Sequence, residues 1–270
     1  MIKLVAIDID GTLVNEEKIM TEKVKYAVHE AVDQDIKIVL CTGRPFEGIR
    51  PYLDELGFKD ENDFVISQNG ARIIQNNTEK VIDEQCLKLD ELQEILSFVG
   101  KFPLQVCALN EDHFYVLSDD ITENLKEQSR ILNMELEIVT PEHFDHDSCI
   151  LKVGCLAEKD VLDHFETHLS KEMREKYYIV RSENNFIEFL VRNVNKGTAL
   201  TRLADHLEIR MSEVAAIGDG ENDYEMIEAA GLGIVMDNGR ERVKGIANEI
   251  TLSNEEDGVA HAFEKWILNQ

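Results

Sequence analysis

Residues 1–12 read MIKLVAIDIDGT, and this stretch decides the fold. The apolar run at 4–7 predicts a short β-strand that is covered on both faces. Because side chains alternate along a strand, Asp8 and Asp10 are expected to point the same way, and Gly11 permits a sharp turn after them. Two carboxylates directly after a buried strand lie where an open α/β sheet binds its ligands. The alternative is a solvated turn, since Asp and Gly are common turn residues.

The stretches that follow alternate between helical and strand patterns. Near the start, the sequence predicts a helix at 21–34, a strand at 36–40, a helix at 48–55 and a strand at 64–67. Near the end, it predicts a helix at 196–206, strands at 214–217 and 233–236, and a helix at 259–268. This alternation is typical of an α/β fold with a doubly wound parallel sheet.

The middle of the chain has a different pattern, because several of its strands alternate apolar and polar residues. Such alternation is typical of an antiparallel sheet with one solvated face. We therefore predict a core domain formed by 1–83 plus 190–270, and an inserted α+β domain at 84–189.

Composition limits the partners of this chain. Its formal net charge of −26 argues against binding to nucleic acid or to an anionic membrane surface. A small anionic substrate would also be repelled at long range. A site for one must therefore concentrate positive charge through a metal ion, Lys, Arg or helix amino ends. We expect a monomer or a homodimer.

The cysteines and the amino terminus point to a cytoplasmic protein. The first strand begins at once, without the pattern of a secretory signal, and no apolar run approaches the length of a membrane span. The five cysteines are odd in number and have no CxxC spacing, so we expect buried, reduced thiols. They are Cys41, Cys86, Cys107, Cys149 and Cys155.

Polar turns follow three of the predicted parallel strands and should meet at one edge of the sheet. The chemistry-bearing residues are Asp8, Asp10, Thr42, Gly43, Asp219, Asn222 and Asp223, with Lys196 at a helix start. Four carboxylates at one place raise one another's pKa values, and a divalent cation is the simplest compensation. All-oxygen ligands that leave room for water favour Mg²⁺. The alternative is a set of independent solvated turns.

Two histidine patterns could also bind a metal. His164 and His168 are four residues apart on a predicted helix, which is a zinc-like spacing, but no third ligand is evident. Residues 143–147, His-Phe-Asp-His-Asp, could chelate a cation, although a loop or a helix cap is the simpler interpretation.

Four short motifs carry a resemblance to a known family. Residues 8–12 (DIDGT), Thr42, Lys196 before Gly197-Thr198, and residues 218–223 (GDGEND) match in order the motifs of the haloacid dehalogenase superfamily. Further stretches make the chain similar to the Cof-type phosphatases with a type IIB cap, and among these to sugar phosphatases. They are CTGRP (41–45), QNGA (68–71), VNKGTAL (194–200), MDN (236–238) and EEDGVA (255–260). Cys41 departs from the family, which more often has Thr there.

The resemblance implies a role for each motif residue. Asp8 would be the nucleophile that forms an aspartyl-phosphate, and Asp10 the general acid and base. The Asp8 carboxylate, the Asp10 backbone carbonyl and Asp219 would hold Mg²⁺, with Asp223 supporting them. The phosphate would meet the Ile9 amide, Thr42, the Gly43 amide, Lys196 and Asn222. Arg44 is ambiguous, since it could reach the substrate or pair with an acid near the domain junction.

The implied activity is Mg²⁺-dependent hydrolysis of a small phosphorylated metabolite, with sugar phosphates as the first choice of substrate. Flavin mononucleotide, pyridoxal phosphate or another non-sugar metabolite is the alternative substrate. A phosphoacceptor signalling module also combines acidic residues, Thr and Lys, but the order of the DIDGT motif and the large insertion disfavour it. A catalytically weak binding protein is disfavoured because every motif residue is present.

Overall fold

The computed structural model describes residues 1–60, 63–118 and 120–268. The strands are β1 Leu4–Ile7, β2 Lys37–Cys41, β3 Phe64–Ser67, β4 Arg72–Gln75, β5 Lys80–Glu84, β6 Gln105–Leu109, β7 Phe114–Val116, β8 Leu136–Ile138, β9 Lys152–Leu156, β10 Tyr177–Glu183, β11 Phe186–Val191, β12 Val214–Gly218, β13 Leu232–Val235 and β14 Glu249–Ile250. The helices are α1 Glu22–Asp33, α2 Phe46–Leu56, α3 Leu89–Val99, α4 Glu123–Leu132, α5 Lys159–Thr167, α6 Lys171–Lys176, α7 Lys196–His206, α8 Tyr224–Ala229, α9 Glu241–Lys244 and α10 Gly258–Ala262.

The chain divides into two compact units. The first, here called the core unit, comprises Met1–Gly43, Ile49–Asp83 and Asn195–Gln270. The second, here called the insert unit, comprises Arg44–Gly48 and Glu84–Val194. Residues 190–194, which we predicted with the core, group with the insert unit because β11 continues to Val191 and pairs with β10 along its length.

The core unit is built on a largely parallel sheet with the strand order β14-β13-β12-β1-β2-β3-β4-β5. The neighbours of β1 on both sides, β12 and β2, are parallel to it. On one face Leu4 and Ala6 pack with the apolar side of α7, and on the other Val5 and Ile7 are fully buried. The predicted α/β fold with a parallel sheet core is therefore confirmed, and β1 lies at its centre.

Capping residues fix where two helices of the core unit begin. The Thr21 side chain accepts a hydrogen bond from the Val24 amide, so α1 starts one residue later. At α7 the Asn195 carboxamide accepts from the Thr198 amide at 2.8 Å, and the Thr198 hydroxyl accepts from the Asn195 amide at 3.2 Å. These reciprocal bonds start α7 at Lys196.

The insert unit has its own sheet, with the strand order β10-β11-β9-β6-β7-β8. Most neighbouring strands are antiparallel, but β8 runs parallel to β7, because α4 forms the crossover between them. The apolar faces of α3 and α5 pack on one side of this sheet, around Val153 and Phe189. Leu125 and Leu132 of α4 pack with residues of the opposite side.

The prediction that all five cysteines are reduced thiols is wrong for one pair. Cys86 and Cys149 form a disulfide with a Cα–Cα distance of 5.2 Å, although 63 residues separate them in the sequence. An antiparallel bridge between the next residues, Leu87 and Ile150, brings the two chain segments together. Cys41, Cys107 and Cys155 are free and buried, as expected.

Over the part of the chain that the structure describes, none of the helices combines the length and the apolar composition that crossing a membrane requires.

Candidate active site

The turn after β1 holds Asp8 in a buried position at the centre of the core sheet. The Leu13 amide donates to the Asp8 carbonyl at 3.1 Å, and the Val14 amide donates to the Ile9 carbonyl at 3.2 Å, so the chain folds back at once. Gly11 has φ +80°, and a Cβ there would lie 2.6 Å from an Asp219 carboxylate oxygen. A glycine is therefore required where this turn approaches the loop after β12.

A buried lysine joins two of the predicted carboxylates. Lys196 Nζ donates to Asp8 Oδ1 and to Asp223 Oδ1, each at 2.6 Å. All three side chains are buried, and Lys196 is fully so. Because Lys196 is the first residue of α7, the capping bonds of Asn195 fix the position from which its side chain reaches both carboxylates.

The loop after β12 is held by the second oxygen of Asp223. Asp223 Oδ2 accepts from the Asp219 amide at 2.9 Å and from the Gly220 amide at 2.8 Å. Asp219 in turn accepts from the Thr12 hydroxyl at 2.9 Å, which links this loop to the turn after β1. Asp223 therefore orders the backbone that carries Asp219 while also balancing the charge of Lys196.

Asp8, Asp219 and Asp223 form a carboxylate cluster, with ligand oxygens within 4.8 Å of one another. Burial, followed by the charge of Asp223, raises the pKa of Asp8 well above its usual range, against the opposing effect of Lys196. Burial and Asp223 likewise raise the pKa of Asp219 to about 7. With three carboxylates and one ammonium, the ionised cluster has an uncompensated negative charge in a buried place. This oxygen donor set fits a Mg²⁺ ion, which is the prediction made from the sequence.

Asp10 is placed differently from the other three acids. Its carboxylate accepts from Lys18 Nζ at 2.7 Å and is about one-third exposed, with 35% of the side-chain surface accessible. The structure thus brings three of the four predicted carboxylates into one cluster, and it pairs the fourth with a lysine at the rim. That the Asp10 backbone carbonyl binds the cation stays a prediction, as does its acid and base role.

The predicted phosphate-binding residues Thr42, Gly43 and Asn222 lie around Asn69, which the sequence analysis did not assign. The Asn69 amide donates to the Thr42 carbonyl at 2.9 Å, and its side-chain oxygen accepts from Asn222 Nδ2 at 3.0 Å. A Cβ at Gly43 would lie 3.1 Å from the Asn69 carboxamide. Asn69 has φ 56°, a left-handed conformation that asparagine tolerates better than most residues. The sequence feature that could have identified Asn69 as a site residue is the Asn-Gly pair at the end of a predicted strand.

Arg44 belongs to the insert unit. Its guanidinium donates to the carbonyls of Gly48 at 3.3 Å and Ile131 at 3.2 Å, and the residue is buried. These bonds connect the first turn of α2 to α4 within that unit. Contact between Arg44 and a substrate stays a prediction, as does the contribution of the Ile9 amide to phosphate binding.

Comparison with known proteins gives a consistent result over the whole chain. A family profile described as haloacid dehalogenase-like hydrolase matches residues 5–263. The YxeH protein of Bacillus subtilis is 40% identical over 268 residues, covering 99% of each chain. YcsE of the same organism, a 5-amino-6-(5-phospho-D-ribitylamino)uracil phosphatase, is 31% identical. The alignment covers 99% of this chain and 96% of YcsE. A solved haloacid dehalogenase-like hydrolase from B. subtilis has a TM-score of 0.85 at 28% identity, covering 98% of this chain and 100% of that one.

Proposed function

The chain belongs to the haloacid dehalogenase-like hydrolase family and is a phosphatase. We propose that it hydrolyses small phosphate monoesters through a covalent intermediate on Asp8. The observation that carries the proposal is the buried arrangement of Asp8 and Asp223 on Lys196, with Asp219 in the same cluster. Phosphoryl transfer depends mainly on in-line positioning and on neutralising the oxygens of the transferring group. Lys196 places one positive charge beside Asp8, and a cation held by the carboxylates would add the rest, on a protein whose net charge is −26.

Asp8 is the nucleophile of the proposed reaction. Its carboxylate attacks phosphorus, the ester oxygen leaves, and an aspartyl-phosphate forms; water then attacks this phosphate and releases it, restoring the carboxylate. Attack requires Asp8 to be ionised, although burial raises its pKa. Lys196, which donates to this carboxylate at 2.6 Å, opposes the rise and favours the ionised form. Burial lowers the pKa of Lys196, but the charges of Asp223 and Asp8 outweigh burial, so the lysine stays protonated.

Asp10 and the loop residues complete the proposed mechanism. Asp10 protonates the leaving alkoxide and then removes a proton from the attacking water; its partial exposure suits an exchange of protons with solvent. Lys196, Thr42 and Asn222 orient the phosphate oxygens. Asp8 and Asp219 would hold Mg²⁺ together with the Asp10 carbonyl, and Asp223 positions the backbone of Asp219. When bound, the cation neutralises the approaching carboxylate and phosphate.

We propose sugar phosphates as the substrate class. The motif resemblance supports this choice, and so does the relative YcsE, whose named substrate carries its phosphate on a polyhydroxylated ribityl chain. Flavin mononucleotide is one alternative substrate, a non-sugar metabolite although its phosphate also ends a polyol chain. Pyridoxal phosphate, whose phosphate is attached next to an aromatic ring, is the alternative that differs in chemistry.

A panel of phosphate monoesters tests the proposal. Purified protein is assayed by phosphate release from hexose phosphates, pentose phosphates, flavin mononucleotide and pyridoxal phosphate, with and without Mg²⁺. We expect turnover that requires Mg²⁺ and a kcat/KM that is highest for a hexose or pentose phosphate. The control is Asp205→Asn, which changes an exposed aspartate of α7 outside the cluster and should leave turnover unchanged. A highest kcat/KM for flavin mononucleotide or pyridoxal phosphate would overturn the substrate class, and no Mg²⁺-dependent turnover of any ester would overturn the function.

A further inference from the structure

A second group of metal-ligating side chains lies within the insert unit, outside the carboxylate cluster of the proposed active site. It consists of Glu84, Cys86 and Cys149, and is here called the thiol cluster. One ligand atom from each residue lies within 4.8 Å of the other two. The two cysteines are half-buried and Glu84 is exposed, so solutes in water can reach the group. The proposed phosphatase mechanism makes no use of it.

The backbone holds the thiol cluster in place independently of the disulfide. Leu87 and Ile150 follow the two cysteines and form an antiparallel bridge, in which the Leu87 amide donates to the Ile150 carbonyl at 2.8 Å. Both side chains are buried in the core of the insert unit. The sulfur atoms therefore remain neighbours when the bond between them is reduced.

The surroundings of the thiol cluster suit a cation. A pocket of about 390 Å³ is lined by both cysteines together with His146, Asp147 and Asp90. His146 and Asp147 belong to the stretch at 143–147 that could chelate a cation, although the sequence more simply predicts a loop or a helix cap there. Lys88 also lines the pocket, but the two acids balance its charge. Once the disulfide is reduced, the pocket combines thiol sulfur, carboxylate oxygen and imidazole nitrogen, the donor types that proteins use to bind Zn²⁺. Mg²⁺ and Ca²⁺ prefer oxygen ligands alone.

We propose that the thiol cluster, once reduced, binds one soft divalent cation of the Zn²⁺ type through Cys86, Cys149 and Glu84. Two thiolates on a tetrahedral zinc ion are about 3.8 Å apart. Donor atoms that already gather within 4.8 Å reach such an ion by side-chain rotation, without movement of the bridged backbone. The fourth position faces the pocket, where water or His146 completes the coordination.

Cys86 and Cys149 form the disulfide when oxidised and supply the two sulfur ligands of the proposed metal site when reduced. A dithiol reductant transfers two electrons and two protons to the sulfur–sulfur bond and itself becomes a disulfide, leaving Cys86 and Cys149 as thiols. The cation then binds the two thiolates and displaces both thiol protons into water. Oxidation of the pair removes the two sulfur ligands, so binding of the cation depends on the reduction state.

Cobalt spectroscopy tests the proposal. The whole protein is reduced, freed of metal and titrated with Co²⁺ in excess Mg²⁺, which occupies the carboxylate cluster. Thiolate ligands give Co²⁺ an intense near-ultraviolet charge-transfer absorption that carboxylates do not give. We expect this band to saturate at one Co²⁺ per chain and to disappear when Zn²⁺ is added. The oxidised protein should show no band. Cys41, Cys107 and Cys155 serve as internal controls, because burial raises the pKa of each thiol and keeps it protonated.

Substitutions distinguish Co²⁺ bound at the thiol cluster from Co²⁺ bound elsewhere in the protein. Cys149→Ser and Cys86→Ser should each abolish the saturating band, and Glu84→Gln should retain the band but require more Co²⁺ to reach it. Asp219→Asn, which alters the carboxylate cluster, should leave the band unchanged. Absence of the band in reduced wild-type protein, or its persistence in both cysteine variants, would overturn the proposal. Unchanged affinity in Glu84→Gln would remove Glu84 from the ligand set.

Discussion

Lys196 is the residue on which the candidate site depends most. It is fully buried and donates to Asp8 and Asp223, the first of which is the proposed nucleophile. Lys196 therefore has two effects that can be measured separately, one on the stability of the cluster and one on the transferring phosphate.

Substitution of Lys196 should lower activity equally for all substrates. Lys196→Ala removes a cation from the phosphoryl group, which every ester shares, and loss of one such donor costs at least about a hundredfold in rate. We expect kcat/KM to fall by a similar factor for every ester of the panel. Lys171→Ala, at a lysine whose side chain is 90% exposed, is the control and should leave kcat/KM unchanged. A fall confined to one ester would place Lys196 against the leaving group instead.

We predict that any effect of Mg²⁺ on stability depends on pH, because Asp219 is a proposed ligand of the cation. Burial and the charge of Asp223 raise the pKa of Asp219 from 3.8 to about 7 in the folded protein. Without a cation, the folded state therefore binds more protons than the unfolded state between these pH values, and this contribution to stability is lost as pH rises through about 7. A bound cation replaces the proton, so its stabilising effect should grow over the same pH range.

Thermal unfolding at about pH 5 and about pH 8 measures this effect. We expect Mg²⁺ to raise Tm more at the higher pH; at a concentration of a hundred times Kd the gain in unfolding free energy is about 2.7 kcal/mol. Asp219→Asn should lose most of the Mg²⁺ effect at both pH values. An equal rise in Tm at the two pH values in wild-type protein would contradict the assignment of Asp219 as a cation ligand.

Single residues show how far the sequence predicts the site. Asp8, Lys196, Asp219 and Asp223 were identified from polar turns after apolar strands, and the structure brings them together. Asn69 received no role because its contacts, with Thr42 and Asn222, come from segments distant in sequence. The Cys86–Cys149 disulfide was missed for the same reason, since its formation depends on a backbone bridge that no local pattern reveals.

At the scale of elements, two strands of the insert unit are joined by a buried ion pair, whose contribution to the free energy of unfolding can be measured. Lys152 of β9 and Glu188 of β11 lie on paired strands and are joined at 2.6 Å, with both side chains 1% exposed. Removing one member of a buried pair leaves the other charge in an apolar interior and costs about 3–5 kcal/mol. Replacing both with apolar residues of similar size removes this penalty.

Urea unfolding of three variants measures the contribution of this pair. Lys152→Met should lower the free energy of unfolding by about 3–5 kcal/mol, and the double variant Lys152→Met with Glu188→Leu should recover most of the loss. The matched control is Lys159→Met, which breaks a pair of the same length, 2.6 Å, whose side chains are 66% and 45% exposed. That change should cost less than about 1 kcal/mol. Equal losses for the buried and the exposed pair would contradict the argument.

Periodic helices and the buried apolar strands of the core sheet were predicted well, whereas four short elements without such a pattern were not. The helix predicted at 21–34 is α1, Glu22–Asp33, and the strand predicted at 64–67 is β3. The short elements β8, α6, α9 and β14 were missed, because a few residues do not establish a period. The final helix was predicted at 259–268, but its regular part, α10, spans Gly258–Ala262 and continues into a π-helical turn at Phe263–Ile267.

At the scale of the whole molecule, the chain connections indicate which unit binds the phosphate and which unit selects the leaving group. The insert unit leaves the core unit after Asp83 and returns at Asn195, directly before Lys196. The proposed site residues of the core unit bind the phosphate group, which all monoesters share. We therefore propose that the insert unit acts as a cap that sets the choice of leaving group, as the resemblance of the sequence implies.

Exchange of the insert unit tests this proposal. Residues 84–194 are replaced by the corresponding segment of YcsE, together with Arg44–Gly48, which group with that unit. We expect the ranking of substrates to move toward ribityl phosphates, while the requirement for Mg²⁺ stays. The control exchanges the surface helix α9, Glu241–Lys244, of the core unit and should leave the ranking unchanged. An unchanged ranking after exchange of the insert unit would place specificity in the core loops.

The predicted domain boundaries show what the sequence could not fix at this scale. The change from parallel to antiparallel strand patterns located the insertion near residue 84, but its end lies at Val194 rather than at 189. The short segment Arg44–Gly48 groups with the insert unit through bonds of Arg44 to Gly48 and Ile131, of which the latter is 87 residues away. Such long-range bonds leave no local signal in a single sequence.

The central claim, a covalent phosphoenzyme on Asp8, is tested most directly by quenching the enzyme with acid during turnover and mapping its peptides by mass spectrometry. We predict a phosphate adduct on the peptide that contains Asp8, present only with Mg²⁺ and a substrate, and absent from Asp8→Asn, which should stay folded and lose several orders of magnitude in turnover. An adduct on another residue, or near-normal turnover by Asp8→Asn, would contradict the account.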